Sequence, residues 1–131
     1  MIDLVNDRSQ VLFGKDSIVI QKFIAGIKGG RNLDVTDVTE PYLNAGHVII
    51  TDGNGVYKPM PTSGSSYSSL PGGYSYAGIL YRSILTKKPF AAIMTIGQVN
   101  SEAIPFPMTA IESDFKAACP HIEFIKDEVA V

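Results

Sequence analysis

The 131 residues include 45% hydrophobic and 18% charged side chains and carry a formal charge of −2, proportions that suit one globular domain burying roughly two-thirds of its unfolded surface. With 11 basic residues against 13 acidic ones, the chain lacks the positive excess that holds a phosphate backbone, so nucleic acid is not an expected partner. The opening MIDLVNDRSQ has no apolar run, and no stretch approaches the ~20 apolar residues of a membrane helix, so the expectation is a soluble protein made in the cytoplasm with no membrane partner.

Residues 17–27, SIVIQKFIAGI, are apolar on both alternating faces, with Ile18, Ile20 and Ile24 on one and Val19, Phe23, Ala25 and Ile27 on the other. Such a strand wants cover on both sides, between layers or against another chain. The paired glycines of KGGR (28–31) suit either a hinge between an amino-terminal arm and a main body or a loop within one fold. The division adopted is an extended arm over 1–33 and a β domain over 34–131.

LDVTDV and EPYLNAG lead into HVIIT (47–51), and DGNG (52–55) turns the chain back into VYKPM. Pro59 and Pro61 have no ladder N–H to donate, which puts the second strand at an edge or ends it early. TSGSSYSSLPGG (62–73) reads as an exposed loop, longer than a turn needs. YAGILYRSI (76–84) and PFAAIMTIGQV (89–99), joined through LTKKP with Lys87 and Lys88 at a solvated tip, are the most apolar strands and are expected at the centre of the core. Gly78 and Gly97 interrupt them, as glycines do at bulges, close backbone approaches or the bends of small closed barrels. TAIE (109–112) matches a capping box, with Thr109 capping a short helix and Glu112 reaching back to the Thr109 amide. Ile111, Phe115 and Ala118 fall on one helical face before Pro120 ends the run, and HIEFIKD alternates as a final strand.

The chain holds little that reads as catalytic. His47 and His121 are in no metal-ligand spacing and are read as structural or surface histidines, and Cys119, ahead of a proline at a helix end, as a buried thiol. The serines of GSSYSS lack the strand-to-helix elbow of a nucleophile, DGNG lacks the ligand spacing of a calcium loop, and PGGYSYAG does not lie between a strand and a helix as a dinucleotide loop does. Asp34, Asp37 and Glu40 are spread over an extended region, a pattern for solvation more than for proton sharing. The expectation is therefore no enzyme, no cofactor and no metal. Tyrosine is concentrated: Tyr57, Tyr67, Tyr74, Tyr76 and Tyr81 lie close together among serines and glycines. That composition fits a contact surface, while half-buried strand positions for Tyr57, Tyr76 and Tyr81 fit equally.

The order of segments adds a further expectation. NAGHVIITDGNGVYKPMP, a polar loop, YAGILYRSI, FAAIMTIGQVN, EAIPFP, a short helix and HIEFI resemble in succession the head-decoration proteins of tailed bacteriophages. The pattern includes Ala45 and Gly46 at a strand start, a turn reaching Tyr57 and Pro59, an Ala-Gly-Ile-Leu strand (77–80) and a Gly-x-Val strand (97–99). GGRNLDVTDV similarly looks like the amino-terminal part of auxiliary capsid or head-fibre proteins. The resemblance implies a mainly β fold: a small β-barrel, tulip-like, with one short α-helix near the carboxyl terminus and an extended amino-terminal arm. It also implies a homotrimer on the outer capsid surface of a virion, bound to the major capsid protein and stabilising the shell, with a fibre protein or a glycan as a further partner. Ile18, Ile20, Phe23 and Ile24 are then the expected capsid-contact arm. The alternative is a carbohydrate- or host-surface-binding β module that uses Tyr67, Tyr74 and Tyr76.

Overall fold

Branched apolar residues recur in the longer strands of this chain, VIIT, SYAGIL and IMTIGQVN among them. The structure, a computed structural model, describes residues 19–36 and 38–125. In chain order the elements are β1 (Ile20–Gly26), β2 (Arg31–Asn32), β3 (Tyr42–Leu43), β4 (Val48–Thr51), β5 (Tyr57–Pro59), β6 (Thr62–Ser63), β7 (Ser66–Tyr67), β8 (Ser75–Leu80), β9 (Ile84–Leu85), β10 (Phe90–Ala91), β11 (Ile93–Asn100), the helix α1 (Glu112–Ala118) and β12 (Ile122–Ile125). The main sheet runs β1-β11-β8-β4-β5, with β12 added alongside β11, and three two-stranded ladders (β10-β2, β3-β9, β6-β7) surround it.

The sheet is open, which corrects the expected barrel. Closure requires the two outer strands to meet, and here β1 and β5 lie at opposite ends of the strand order. β5 is only three residues long and ends in Pro59, which has no N–H with which to extend a ladder. The two strands expected at the centre of the core also part early. β8 and β11 pair only at Leu80↔Ile93 and Ile79↔Met94. Beyond that point β11 takes β12 as a parallel neighbour over Gly97–Asn100, while β9 and β10 pair with β3 and β2 instead.

Gly78 and Gly97 serve close packing between strands in this open sheet. A Cβ on Gly78 would run into the Met94 carbonyl oxygen, and one on Gly97 would meet the Lys22 carbonyl oxygen and, at 2.5 Å, the Met94 sulfur.

Both faces of the inner strands β4, β8 and β11 are covered, because these strands alternate between two cores. Val48, Ile50, Ile79, Met94 and Val99 pack with Met60, Tyr67, Ile111 and Phe115 on one side. Ile49, Leu80 and Ile93 pack with Leu33, Leu43 and Ala91 on the other. At about 1.5–3 kcal/mol for each fully buried large aliphatic or aromatic side chain, these two clusters are the main source of stability.

Four local expectations are revised. The strand 20–26 pairs antiparallel with β11 from Ile20↔Val99 to Gly26↔Met94, and it is not covered on both faces: Phe23 is 43% exposed and Ile24 56%. The segment 62–73 is not wholly an exposed loop, since 62–67 forms the β6–β7 hairpin and Tyr67 is buried. The capping box is not made, because α1 starts at Glu112 with Ile111 as its N-cap and no side-chain capping bond. Ala118 is exposed, and the buried stripe runs Ile111, Phe115 and Cys119 instead. Successive members of that stripe are four residues apart, close to one helical turn. Ile18, Asp37 and the final residues 126–131 lie outside the described residues.

Gly97→Ala is expected to lower stability by about 1–3 kcal/mol through overpacking against β1 and Met94, measured by chemical denaturation. Gly72→Ala, with nothing within 4 Å of its added methyl, is the control and should change stability by less than about 0.5 kcal/mol.

Candidate functional site

The most constrained corner of the molecule lies where the β4–β5 ladder ends. DGNG makes the hairpin as its residue types require: the Asp52 carboxylate accepts from the amides of Asn54 (2.7 Å) and Val56 (3.2 Å), and both glycines have positive φ. Ile49 pairs with Pro59, Ile50 with Lys58 and Thr51 with Tyr57. One step further, the Met60 amide still donates to the Val48 carbonyl at 2.8 Å. In place of the reciprocal backbone bond, two side chains take over. The Met60 carbonyl accepts from His47 Nε2 at 2.9 Å, and the Val48 amide donates to the Tyr67 hydroxyl at 3.1 Å.

The local sequence explains the substitution. Pro61 follows Met60 and turns the chain away from β4 into the β6–β7 hairpin, which delivers Tyr67 back to the vacated position. Gly46 precedes the strand with a φ of +95°, and any Cβ there would meet Val19 Cγ1 at 2.7 Å and Pro105 Cδ at 3.1 Å. The rings of His47, Tyr67 and Phe106 then pack mutually. His47 makes edge contacts with Tyr67 (5.4 Å between centroids) and Phe106 (5.5 Å), and Tyr67 lies 5.3 Å from Phe106.

Electrostatics follow from this burial. His47 is 5% exposed, and loss of water lowers its pKa below the usual histidine value of 6.5, partly opposed by the bond to Met60. Since a carbonyl only accepts, Nε2 carries the proton, and in the neutral ring Nδ1 is left as a lone-pair acceptor. Burial likewise raises the Tyr67 pKa, so its hydroxyl stays neutral. His47 also lines two clefts. One, of about 220 Å³, is bounded by Asp34, Glu40, Leu43, Lys58 and Thr62. The other, of about 300 Å³, is bounded by Glu40, Tyr42, Asn44, Thr62 and Phe106.

The residues singled out from the sequence are scattered around this corner. Ile20 is buried in β1, and Phe23 lays its ring 4.5 Å from Tyr81 while staying partly exposed, as does Ile24. Tyr67 is 4% exposed and is a framework residue. Tyr74 faces the Lys58 ammonium at 4.7 Å, and Tyr76 stands edge-on to Phe115 at 5.4 Å. The three tyrosines therefore do not form one exposed platform.

Of the candidate acids, Asp34 and Glu40 border the same cleft, and Asp34 is occupied by the hydroxyl and amide of Thr36, which hold its carboxyl below the usual range. Cys119 is buried, donates toward the Tyr76 carbonyl at 3.9 Å, and is pushed up to about 11 by burial, so it is a thiol at neutral pH. Among the described residues, no group of three or more His, Cys, Asp or Glu is placed to hold a metal ion, and no helix is long and apolar enough to cross a membrane.

Sequence reading passed over Tyr42, Asn44, Thr62 and Phe106. Their one visible signal was the pair Pro59 and Pro61, which marks where a ladder must stop and a concave corner can open.

Two outcomes are expected. Tyr67→Phe keeps the ring but leaves the Val48 amide without its acceptor, and should cost about 1–3 kcal/mol by denaturant titration. His47 has a depressed folded-state pKa, so the unfolded chain binds the extra proton first. Its stabilising contribution is complete above pH 6.5 and is lost as pH falls through the folded value. Between about pH 7 and pH 5 the native chain should therefore lose stability more steeply than His47→Gln, which does not titrate in that range. Equal slopes would remove His47 from the acid response.

No family model, curated protein or solved structure matches this chain.

Proposed function

We propose that the chain works by attachment and catalyses no reaction: it is a structural virion protein that docks on the outer surface of a tailed-phage capsid, as a homotrimer, and stabilises the shell. The observation that carries this reading is β1. It is an outermost strand of the main sheet, seven residues long, and it presents Phe23 and Ile24 to solvent at 43% and 56% exposure. An edge of this kind offers both main-chain groups and apolar side chains to another chain, and its register shifts and the exposed Lys22 limit indiscriminate pairing. The order of segments from 34 to 125, which resembles head-decoration proteins, supplies the kind of partner. Because the sheet is open, the reading draws on the β1 edge and on that order, and draws nothing from a barrel.

Stabilisation by such a protein is a linkage effect. A ligand that binds the assembled lattice and not free subunits stabilises each site by RT ln(1 + [L]/Kd), about 2.7 kcal/mol at a hundredfold excess over Kd. Repeated over a shell, that resists expansion stress without any covalent step.

The test is cosedimentation of the full chain with expanded heads made from the major capsid protein of the same genome, together with the solution mass of the free chain. Deleting residues 1–30 would strip β11 of its outer neighbour, so a double substitution, Phe23→Ser with Ile24→Ser, is preferred. Both positions are exposed, so folding should persist while binding weakens at least about tenfold, which corresponds to one apolar contact of ordinary size. A folded native chain that stays in the supernatant would overturn the proposal.

A further inference from the structure

We propose that the cleft between β3 and β6, closed at its back by His47 and Phe106, binds a neutral polyhydroxylated ring, a single pyranose residue such as terminates a glycan. The inference stands apart from capsid attachment, because the cleft and the β1 edge are built from different segments.

Three observations converge on it. The first is size: about 300 Å³ lies at the low end of small-ligand pockets, which run from roughly 300 to 1,000 Å³. The second is His47. Its ring is almost wholly buried, Nε2 is committed to the Met60 carbonyl, and among the described residues no hydrogen bond reaches the other nitrogen. Fixed by that bond in one tautomer, the ring offers a lone pair and asks for a donor. Its two T-shaped neighbours, Tyr67 and Phe106, prevent it from turning to satisfy itself elsewhere. The third is the rest of the lining. Tyr42 is 39% exposed and supplies a partly open aromatic surface, while Asn44, Thr62 and Glu40 supply an amide, a hydroxyl and a carboxylate.

The chemistry of that set discriminates among ligands. An anion would face the Glu40 carboxylate and a lone pair, both unfavourable. A metal ion would need more His, Cys or carboxylate groups than the described residues bring together. An alkylammonium would satisfy Glu40 and His47 but has no acceptor to offer the Asn44 amide or the Thr62 hydroxyl. Sugar hydroxyls both donate and accept, and a pyranose ring has apolar C–H edges to lay against Tyr42, so every group in the cleft finds a complement. The cleft thus relocates glycan recognition from Tyr67, Tyr74 and Tyr76 to a corner whose lining lies partly earlier in the chain, at Glu40, Tyr42 and Asn44.

The experiment is a backbone amide NMR titration of the full chain with the methyl glycosides of glucose, galactose, mannose and N-acetylglucosamine, and with butylamine as a cationic probe. Saturable shifts confined to residues 42–44 and 62–64 are expected with at least one glycoside, at a Kd on the order of 1 mM, the weak end of specific binding. Thr62→Val and Tyr42→Ala, both at exposed positions, should each weaken that binding about tenfold while the remaining spectrum is retained. His47→Phe should abolish it, and the two surface variants keep the test decisive if that core change unfolds the protein. No saturable shift at these amides with any glycoside, shifts with butylamine alone, or indifference to both surface variants would each overturn the proposal. Capsid cosedimentation of Thr62→Val should match the native chain, so failure of one proposal is distinguishable from failure of the other.

Discussion

Everything around the His47 corner depends on one exchange of hydrogen bonds, at the point where the ladder between β4 and β5 stops. A two-stranded pairing normally continues until both strands turn away, and each step satisfies two buried backbone groups. Here the step at Val48 and Met60 is half backbone and half side chain, with His47 taking the Met60 carbonyl and Tyr67 taking the Val48 amide. An unsatisfied buried amide or carbonyl is expensive, so the two rings must be where they are for β4 to be buried at all. β4 in turn pairs with β8 along its full length, from Val48↔Ile79 to Thr51↔Ser75, and thereby joins the hairpin to the rest of the sheet.

That exchange also shapes the surface. By ending the ladder early it releases the chain at Pro61 into the β6–β7 hairpin, and the hairpin leaves a concave corner between itself and β3. The two clefts that share His47 as a wall are a geometric result of the pairing that was given up. A continued ladder would have filled that space with a flat strand. The proposed ligand site and the stability of the corner therefore draw on the same histidine, whose neutrality is enforced by burial.

At the other end of the sheet the constraint is different. β1 contacts β11 along nearly its whole length, yet Phe23 and Ile24 remain in solvent, while the sheet's interior strands are covered on both faces by separate cores. The molecule thus has one edge that is sealed by brevity and proline, at β5, and one that is long and apolar, at β1.

The sequence by itself determined the local punctuation: the DGNG turn, the early stop at Pro59 and Pro61, the apolar strands now seen as β8 and β11, a short helix before Pro120, and a final strand from Ile122. These follow from properties each residue has alone, such as a missing N–H, a missing Cβ or a branched side chain. The tertiary structure alone decided which strands are neighbours. Gly78 and Gly97 read equally well as barrel bends or as close contacts, and the choice came from the Met94 carbonyl lying over one and the Lys22 carbonyl over the other, partners 16 residues away in one case and 75 in the other. Likewise Tyr67 looked like a surface residue because its neighbours are serines, and only the distant Val48 amide, which needs an acceptor, draws it inside. Pairing between remote segments is a matter of which backbone groups would otherwise be left buried and unmet, and no short window of sequence contains both partners.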